Sequence, residues 1–509
     1  MPQPPFAGHY FVQTFGCQMN VHDSDRMEEA LVAHGWRPVE SAERADLVVF
    51  NTCSVREKAE QKLRSEVGKL APLKKQKPDL VICVAGCVAQ QEGEKLLKRI
   101  AHIDLVLGPD NLAELPALAL AQRAGDRPLA RTVFDLEGPH FLAASPRPGA
   151  APISAFVTTM KGCDERCSFC IVPYTRGPER YRPVGEILEE VKRWVAAGTR
   201  EVVLLGQTVD SYRDPGLPQP ETGDPDETQF PALLHLLASR VPRFEPASPE
   251  RPGLARLRYT SPHPRHATAS LARAHGEIDV LARHVHLPAQ SGSDRVLRRM
   301  IRRYTRAEFV ERASRLRSAR PGLTLSTDIV VGLPGETEAD FLETLSLVRE
   351  VGFTSLFGFK FSPRPHTPAL RLTDDVPEEV KSDRLARLFD VSEAQGRAHL
   401  ASLVGTRQQV LVEGASPAAA TSARADGAAR ASLVSGRTER NEIVHVEAPE
   451  GRVAVGRIVE VEIVQANKHS LAARCTEEAL GALPLLLATT DATPRGKRVL
   501  PLVAGGPGA

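Results

Sequence analysis

Apolar residues recur along the first hundred positions in short runs, HYFVQTFGC, DLVVFNTC, LVICVAGC and IDLVLGP, separated by amphipathic stretches such as DSDRMEEALVAHG. This is the βαβ rhythm of a doubly wound parallel sheet. A longer series follows, with six candidate strands: AFVTTM, EVVLLGQ, RLRYTS, HVHLPAQ, LSTDIVVGLP and SLFGFKFSP. Between them lie helical patterns, VGEILEEVKRWVAAG, FPALLHLLASRV, SDRVLRRMIRRYTRAEFVERASRLRSA and TEADFLETLSLVREVG, several closed by a glycine. Six such units predict a partial (β/α)6 barrel with its chemistry at the carboxyl-terminal rim. A connecting helix over PEEVKSDRLARLFDVSEAQGRAHLASLVG leads to TRQQVLVEG, SLVSGRT, EIVHVEAP, GRIVEVEIVQAN and SLAARC, the spacing of a small antiparallel β-barrel.

The fold class is therefore α/β with a small all-β appendage. Its divisions are 1–136 for the first domain, a Pro/Ala/Gly-rich linker at 137–152, a core at 153–402, the small barrel at 403–478 and a low-complexity tail at 479–509. The acidic, Pro-rich stretch DPGLPQPETGDPDET reads as a surface insertion, and SPAAATSARADGAARA as an insertion within the small barrel. The chain of 509 residues accommodates roughly three domains at about 150 residues each. The amino terminus lacks the signature of a secretory signal, and there is no uninterrupted run of about 18 apolar residues to span a bilayer. The expectation is a soluble, cytoplasmic protein with no membrane association. With 65 Lys+Arg against 63 Asp+Glu the net charge is only +2, so a nucleic-acid surface has to be a local patch.

Eight cysteines in a chain this long are too few for a disulfide scaffold, and clustered cysteines in a reducing compartment are more often metal ligands or redox centres. Three apolar runs of the first domain end in cysteine, at Cys17, Cys53 and Cys87. Ligands of open α/β sheets bind outside the carboxyl ends of the strands, so three thiols about 35 residues apart in sequence can converge and hold an iron–sulfur cluster. Small apolar cysteines filling strand ends are the alternative. Cys83 falls some 13 Å before Cys87 at about 3.3 Å per residue and reads as an ordinary buried cysteine. The segment GCDERCSFC places Cys163, Cys167 and Cys170 just after the first strand of the second series. Three thiols with no nearby histidine do not complete a tetrahedral zinc site. On a cubane of four irons they leave one iron open to bind a small molecule.

That spacing, in that place, resembles the radical S-adenosylmethionine superfamily. TFGCQMNVHDSDRM, NTCSVREKAEQK, AGCVAQQEG, KGCDERCSFCIVPYTRGPERYRP, LLGQTVDSY, HLPAQSGSDRVLRRMIRRYT, DIVVGLPGETEADF and FSPRPHTPA narrow the resemblance to the methylthiotransferase family, over residues from about 9 to about 475. GCQMN and NTCSVRE are similar to its MiaB-type tRNA branch, rather than to the branches acting on a ribosomal protein or on threonylcarbamoyl-adenosine. The resemblance implies a radical SAM core, with Cys163, Cys167 and Cys170 as catalytic ligands of a 4Fe-4S cluster that cleaves S-adenosylmethionine to a 5'-deoxyadenosyl radical. It implies a second 4Fe-4S cluster on Cys17, Cys53 and Cys87 that carries or supplies sulfur. The implied reaction is insertion of a methylthio group at carbon 2 of an isopentenyl-modified adenosine next to the anticodon of a tRNA. An electron donor such as flavodoxin or ferredoxin and a sulfur source are implied partners. A methylthiotransferase acting on a ribosomal protein or another modified adenosine, and a non-catalytic RNA-binding iron–sulfur protein, are the competing readings.

Further cofactor-binding candidates are Phe169, near the adenine or a plain hydrophobic plug, and the strand-end residues Gly206, Gln207, Gln290, Ser291 and Asp328. Glycines at strand ends allow close backbone approach to a ligand, though they also simply turn the chain. His263 and His286 are site residues or satisfied structural histidines. The small barrel resembles the TRAM domain, an RNA-binding module, and Arg437, Arg440, Lys468, His469 and Arg474 are either phosphate contacts or a solvated basic face. RRMIRRYTR puts Arg298, Arg299, Arg302, Arg303 and Arg306 at helical spacing, for RNA backbone or for ordinary pairing with acids. Two departures from the family pattern stand out: Asp-Glu-Arg after Cys163, where relatives more often have asparagine and an aromatic, and Thr208 and Asp210, where asparagines are common.

Overall fold

The structure, a computed structural model, describes residues 4–54, 57–137, 141–142, 151–220, 223–246, 248, 250–373, 375–416, 432–448 and 455–476. Most of the 137–152 linker, the insertion from 417 to 431 and the tail lie outside these residues.

The first domain runs β1 (Gly8–Phe15), α1 (Gln18–Ala33), β2 (Trp36–Pro38), β3 (Leu47–Thr52), α2 (Glu57–Lys69), α3 (Ala71–Gln76), β4 (Val81–Gly86), α4 (Cys87–Glu92), α5 (Glu94–Arg99), β5 (Leu105–Leu107), α6 (Leu115–Arg123) and β6 (Leu129–Arg131). The strands form one parallel sheet in the order β2-β1-β3-β4-β5-β6. LVVFNT and VICVAG are buried at every position, as central strands covered on both faces must be. Ala59, Leu63 and Val67 of α2 pack on one face with Val88, Ala89 and Leu96, while Met27 and Leu31 of α1 pack on the other with Leu115 and Ala119. The order of winding reverses between β1 and β3, which makes the crevice between their carboxyl ends the place for a ligand.

The core contains β7 (Ser154–Thr158), the short hairpin β8 (Met160–Lys161) and β9 (Arg180–Tyr181) around α7 (Val172–Arg176), then α8 (Val184–Ala196), β10 (Glu201–Leu205), α9 (Phe230–Arg240), β11 (Arg256–Tyr259) and α10 (Ala269–Glu277). It continues through β12 (His284–His286), α11 (Asp294–Arg299), α12 (Arg306–Ala319), β13 (Thr324–Val331), α13 (Glu338–Val351) and β14 (Ser355–Lys360). All six expected strands form. They hydrogen-bond as two parallel halves, β11-β10-β7 and β12-β13-β14, joined by a parallel bridge between Leu257 and Leu281. Helices α8, α9, α10, α12 and α13 supply a continuous apolar shell around them.

Two expectations need correction. The single helix over 293–319 is two, because Ile301 takes a left-handed φ of 57° and Thr305 starts α12 with a capping box on Glu308. Helix α10 went unread, its short apolar stripe lying among polar positions. The acidic insertion also ends inside the protein: Asp226 pairs with Arg265 and Arg312, and Glu227 and Thr228 are buried.

Helix α14 (Glu378–Ser402) leads to β15 (Arg407–Ala415), β16 (Ser432–Arg437), β17 (Ile443–Ala448), β18 (Ile458–Ala466) and β19 (Leu471–Cys475), closed in the order β15-β16-β17-β19-β18. The barrel is not wholly antiparallel, since β17 and β19 pair in parallel. It is docked through buried Arg256 of β11, whose guanidinium donates to the carbonyls of Arg437 (2.6 Å), Thr438 (3.0 Å) and Gln409 (3.4 Å).

Burial lowers the pKa of His275, in α10, to about 3, and the Tyr259 hydroxyl lies 2.7 Å from its Nε2. The unfolded chain therefore binds one more proton than the folded chain between about pH 6.5 and pH 3, and stability is lost on acidification through that window. This one group contributes a slope of about 1.4 kcal/mol per pH unit. Chemical denaturation between pH 7 and pH 5 is expected to show a shallower pH dependence for His275→Gln; an unchanged slope would show that the imidazole is not held neutral.

Candidate active site at the domain boundary

Cys17 is the N-cap of α1, Cys53 follows β3 and Cys87 is the first residue of α4. All three lie at the carboxyl ends of the adjacent parallel strands β1, β3 and β4. Cys17 and Cys53 hydrogen-bond each other, and that bond, against burial, brings the Cys17 thiol down to about 6. Burial pushes the Cys87 thiol up, opposed by the Arg176 guanidinium, whose Nε lies 3.3 Å from its sulfur. Cys83 is fully buried within β4 and raised by burial, in keeping with a structural role.

A buried amide network holds this end of the sheet. Asn20 Nδ2 donates to Asn51 Oδ1 (3.1 Å), and Asn51 Nδ2 donates to the Asn20 carbonyl (2.8 Å) and to Ser24 Oγ (3.0 Å). Asn20 Oδ1 faces the Cys17 sulfur at 3.3 Å. These are the asparagines of GCQMN and NTC, which sequence reasoning quoted without assigning a task.

The second triad sits on the loop after β7 and β8. Cys163 Sγ is 3.0 Å from Thr208 Oγ1, and Cys167 Sγ accepts from Arg302 Nη1 at 3.2 Å. Arg302 also donates to the Tyr304 hydroxyl (3.0 Å) and the Pro288 carbonyl (3.2 Å). Burial raises the thiols of Cys163 and Cys170, the latter to about 12, with Cys167 adding to the rise at Cys170. Ser168 ties the loop to the turn after α11, its N–H donating to the Met300 carbonyl and its hydroxyl to that of Arg299. Gly162 enters the loop at a φ of 78°, where a Cβ would lie 1.8 Å from the Pro178 carbonyl, so only glycine fits.

The other sequence-derived candidates separate. Phe169 packs against Val296, Met300, Val330, Leu333 and Phe361. Gly206 approaches Met160, which a Cβ would meet at 2.7 Å. Gln207 keeps its Oε1 buried without a partner. Gln290 takes a left-handed φ of 67° and bridges to Ile329, and Asp328 Oδ1 lies 3.3 Å from His286 Nε2. Ser291 is turned away from these, its hydroxyl 3.3 Å from that of Thr344 on α13. Arg302 does not extend a basic helical stripe: it is half-buried and donates to a cysteine sulfur. In the barrel, Arg437, Arg440, Lys468 and Arg474 each pair with a glutamate.

Sequence reasoning named Asp210 as a departure from the family pattern and His263 as a site or structural histidine, but missed the contact between them. Asp210 Oδ1 accepts from the His263 backbone N–H at 2.7 Å, while Asp210 Oδ2, His263 Nε2 and Glu165 Oε2 are buried without partners. Burial holds the Asp210 carboxyl well above the usual carboxylate range and the His263 imidazole well below its own.

No three Cys, His, Asp or Glu side chains among the described residues close on a point tightly enough to hold one metal ion. A cubane gives each thiolate its own iron, so its ligands need not meet at one point. A guanidinium beside each triad, buried Arg176 and half-buried Arg302, fits the negative charge that thiolate-bound iron brings.

The sequence matches the model of an uncharacterized protein family, UPF0004, at residues 9–108, the Radical SAM superfamily at 157–348 and the TRAM domain at 401–476. It is 60% identical over 508 residues to the tRNA-2-methylthio-N(6)-dimethylallyladenosine synthase of Sorangium cellulosum, covering 97% of this chain and 99% of the relative. The chain belongs to this synthase family. The synthase of Acidithiobacillus ferrooxidans is 44% identical, over 91% of this chain and 96% of the relative. Among solved structures, the radical S-adenosylmethionine methyltransferase TsrM of Kitasatospora setae is 15% identical, with a TM-score of 0.49 and coverage of 71% of this chain and 76% of that one. As in the rest of the synthase family, the Radical SAM domain implies a 4Fe-4S cluster and S-adenosylmethionine. No helix among the described residues is long and apolar enough to cross a membrane.

Gly162→Ala is expected to abolish the dithionite-reduced EPR signal of the 4Fe-4S cluster that the Radical SAM domain implies, because the loop after β8 has to open by more than an ångström to admit the methyl group. Retention of that signal at full intensity would show that the loop closes some other way.

Proposed function

We propose that this chain inserts a methylthio group at carbon 2 of N6-isopentenyladenosine next to the anticodon of a tRNA, by radical S-adenosylmethionine chemistry. The observation that carries this reading is the placement of two thiol triads, each with two buried cysteines and one half-buried, at the carboxyl ends of two parallel β systems on either side of one domain boundary. Carbon 2 of the adenine bears an unactivated C–H bond, which acid/base groups alone do not open. When bound, two 4Fe-4S clusters and S-adenosylmethionine supply the one-electron chemistry, the methyl group and the sulfur.

Cys163, Cys167 and Cys170 would hold the cluster that reductively cleaves S-adenosylmethionine, and Cys17, Cys53 and Cys87 would hold the other. Arg302 neutralises the charge at Cys167 and fixes the loop against the carboxyl end of β12 through Pro288. Gln207, Asp210 and His263, with their unpaired buried atoms, receive polar groups of cofactor or substrate. Gln290 and Asp328 line the rim beside them, Gly206 keeps the backbone close, Phe169 seats the loop from below, and Ser291 braces the turn. The small barrel meets RNA through shape and a few uncommitted groups such as His469, since its arginines are paired. A flavodoxin or ferredoxin as electron donor, a sulfur source and a cytoplasmic location complete the proposal.

The test is mass spectrometry of tRNA nucleosides from cells lacking their own methylthiotransferase. Expression of this chain is expected to produce 2-methylthio-isopentenyladenosine, and Cys53→Ala and Cys167→Ala are each expected to abolish it. Persistence of unmodified isopentenyladenosine, with S-adenosylmethionine cleavage intact, would move the substrate to a ribosomal protein or another adenosine.

A further inference from the structure

Helix α7 begins two residues after Cys170 and ends at Arg176, so the loop that carries the core triad runs directly into the domain boundary. There the Arg176 side chain leaves its own domain. Its Nη2 donates to Asp23 Oδ2 of α1 at 2.7 Å, and its Nε lies 3.3 Å from Cys87 Sγ at the start of α4. Arg176 is 4% exposed and Asp23 8% exposed, so neither charge is shared with water. The Arg176 carbonyl in turn accepts from Arg180 Nη2 at 2.7 Å, and Arg180 reaches back across the boundary to Asp110 at 2.5 Å. The guanidinium is thus oriented from both sides. Its planar fork is what allows one side chain to serve a carboxylate and a sulfur together, which a point-charge ammonium cannot do.

We propose that Arg176 is a positioning residue for the N-terminal cluster: from across the domain boundary it donates a hydrogen bond to the Cys87 sulfur and so ties the reduction potential of that cluster to the docking of the two domains. The inference rests on the reading of Cys17, Cys53 and Cys87 as cluster ligands. Hydrogen bonds to ligand sulfurs and the local net charge are the protein's levers on an iron–sulfur potential. Removing a cationic donor makes the cluster harder to reduce. The same side chain holds Asp23, so the ion pair that docks the domains and the bond that tunes the cluster form or break as one unit.

The experiment uses the full chain with Cys163, Cys167 and Cys170 replaced by alanine, reconstituted anaerobically, so that the remaining iron–sulfur signal belongs to the N-terminal triad. In this background, Arg176→Lys keeps a charge for Asp23 and loses the forked donor, while Arg176→Gln with Asp23→Asn leaves no unpaired buried charge. Iron content, far-UV circular dichroism and the midpoint potential from an EPR-monitored titration are measured for each. Both variants are expected to keep their circular dichroism and show a potential shifted to more negative values, with altered g-values; loss of iron with circular dichroism intact also supports the positioning role. An unchanged potential and unchanged g-values in both variants overturn the proposal. Loss of iron together with loss of helical signal in both assigns Arg176 to folding alone and overturns it equally. A background chain that binds no iron overturns the cluster reading itself, and the proposal with it.

Discussion

The buried ion pairs between the first domain and the core are the interactions on which the site depends. Asp23 meets Arg176 at 2.7 Å, and Asp110 meets both Arg180 (2.5 Å) and Lys161 (3.1 Å). Burial alone would raise these carboxyls; the cations hold Asp23 down to about 2 and Asp110 below its ordinary range. Such pairs are poor sources of net stability, because desolvation consumes most of the Coulombic gain, but breaking one costs about 3–5 kcal/mol by stranding a charge. They therefore act on geometry. A purely apolar interface such as the contact of Met19 with Val203 and Leu205 tolerates sliding. The charged pairs permit one register, and both thiol triads are placed by it.

Within that register each triad is built by the same means. A glycine of positive φ precedes the first cysteine of each: Gly16 before Cys17 and Gly162 before Cys163. Strand ends supply the direction, glycine supplies the sharp turn, and buried side-chain amides or hydroxyls fix the sulfur. Asn20 and Asn51 do this below Cys17, and Thr208 does it beside Cys163. Every one of these polar groups is satisfied by another protein group, so the networks stiffen the two ends of the site. The atoms left unsatisfied, on Gln207, Asp210, His263 and Glu165, surround the core loop, where a bound molecule can complete them.

Much of this was legible in the sequence. Continuous β-branched runs marked β3 and β4 as buried parallel strands, and their terminal cysteines marked one edge of the sheet. The six core strands and five barrel strands were readable from period and spacing alone. What escaped has a common cause: it depends on partners far away in sequence. Arg176 and Asp23 are 153 residues apart, Arg302 and Cys167 are 135 apart, and Asp210 reaches His263 over 53. Helical spacing in RRMIRRYTR suggested a basic face, whereas the left-handed Ile301 breaks the helix and turns Arg302 inward. A buried arginine and a surface arginine have the same letter. The extra signal was the tyrosine two residues on, a side chain that is buried here with its hydroxyl on the Pro288 and Ala289 carbonyls.

The small barrel follows a different logic. Arg437 and Arg474 are matched by glutamates on neighbouring strands, Arg440 by Glu442 two residues on and Lys468 by Glu393 on α14, so the expected cationic patch is largely cancelled within the protein. Exposed pairs of this kind contribute little to stability. The buried Arg256, by contrast, makes three hydrogen bonds to barrel carbonyls, and burial lowers its pKa to about 10. The barrel is thereby held in a fixed orientation to the core. An overall charge of +2 gives weak long-range attraction for a polyanion, so under the proposed function discrimination among RNAs comes from how a rigidly mounted barrel and the rim together fit the shape of the substrate.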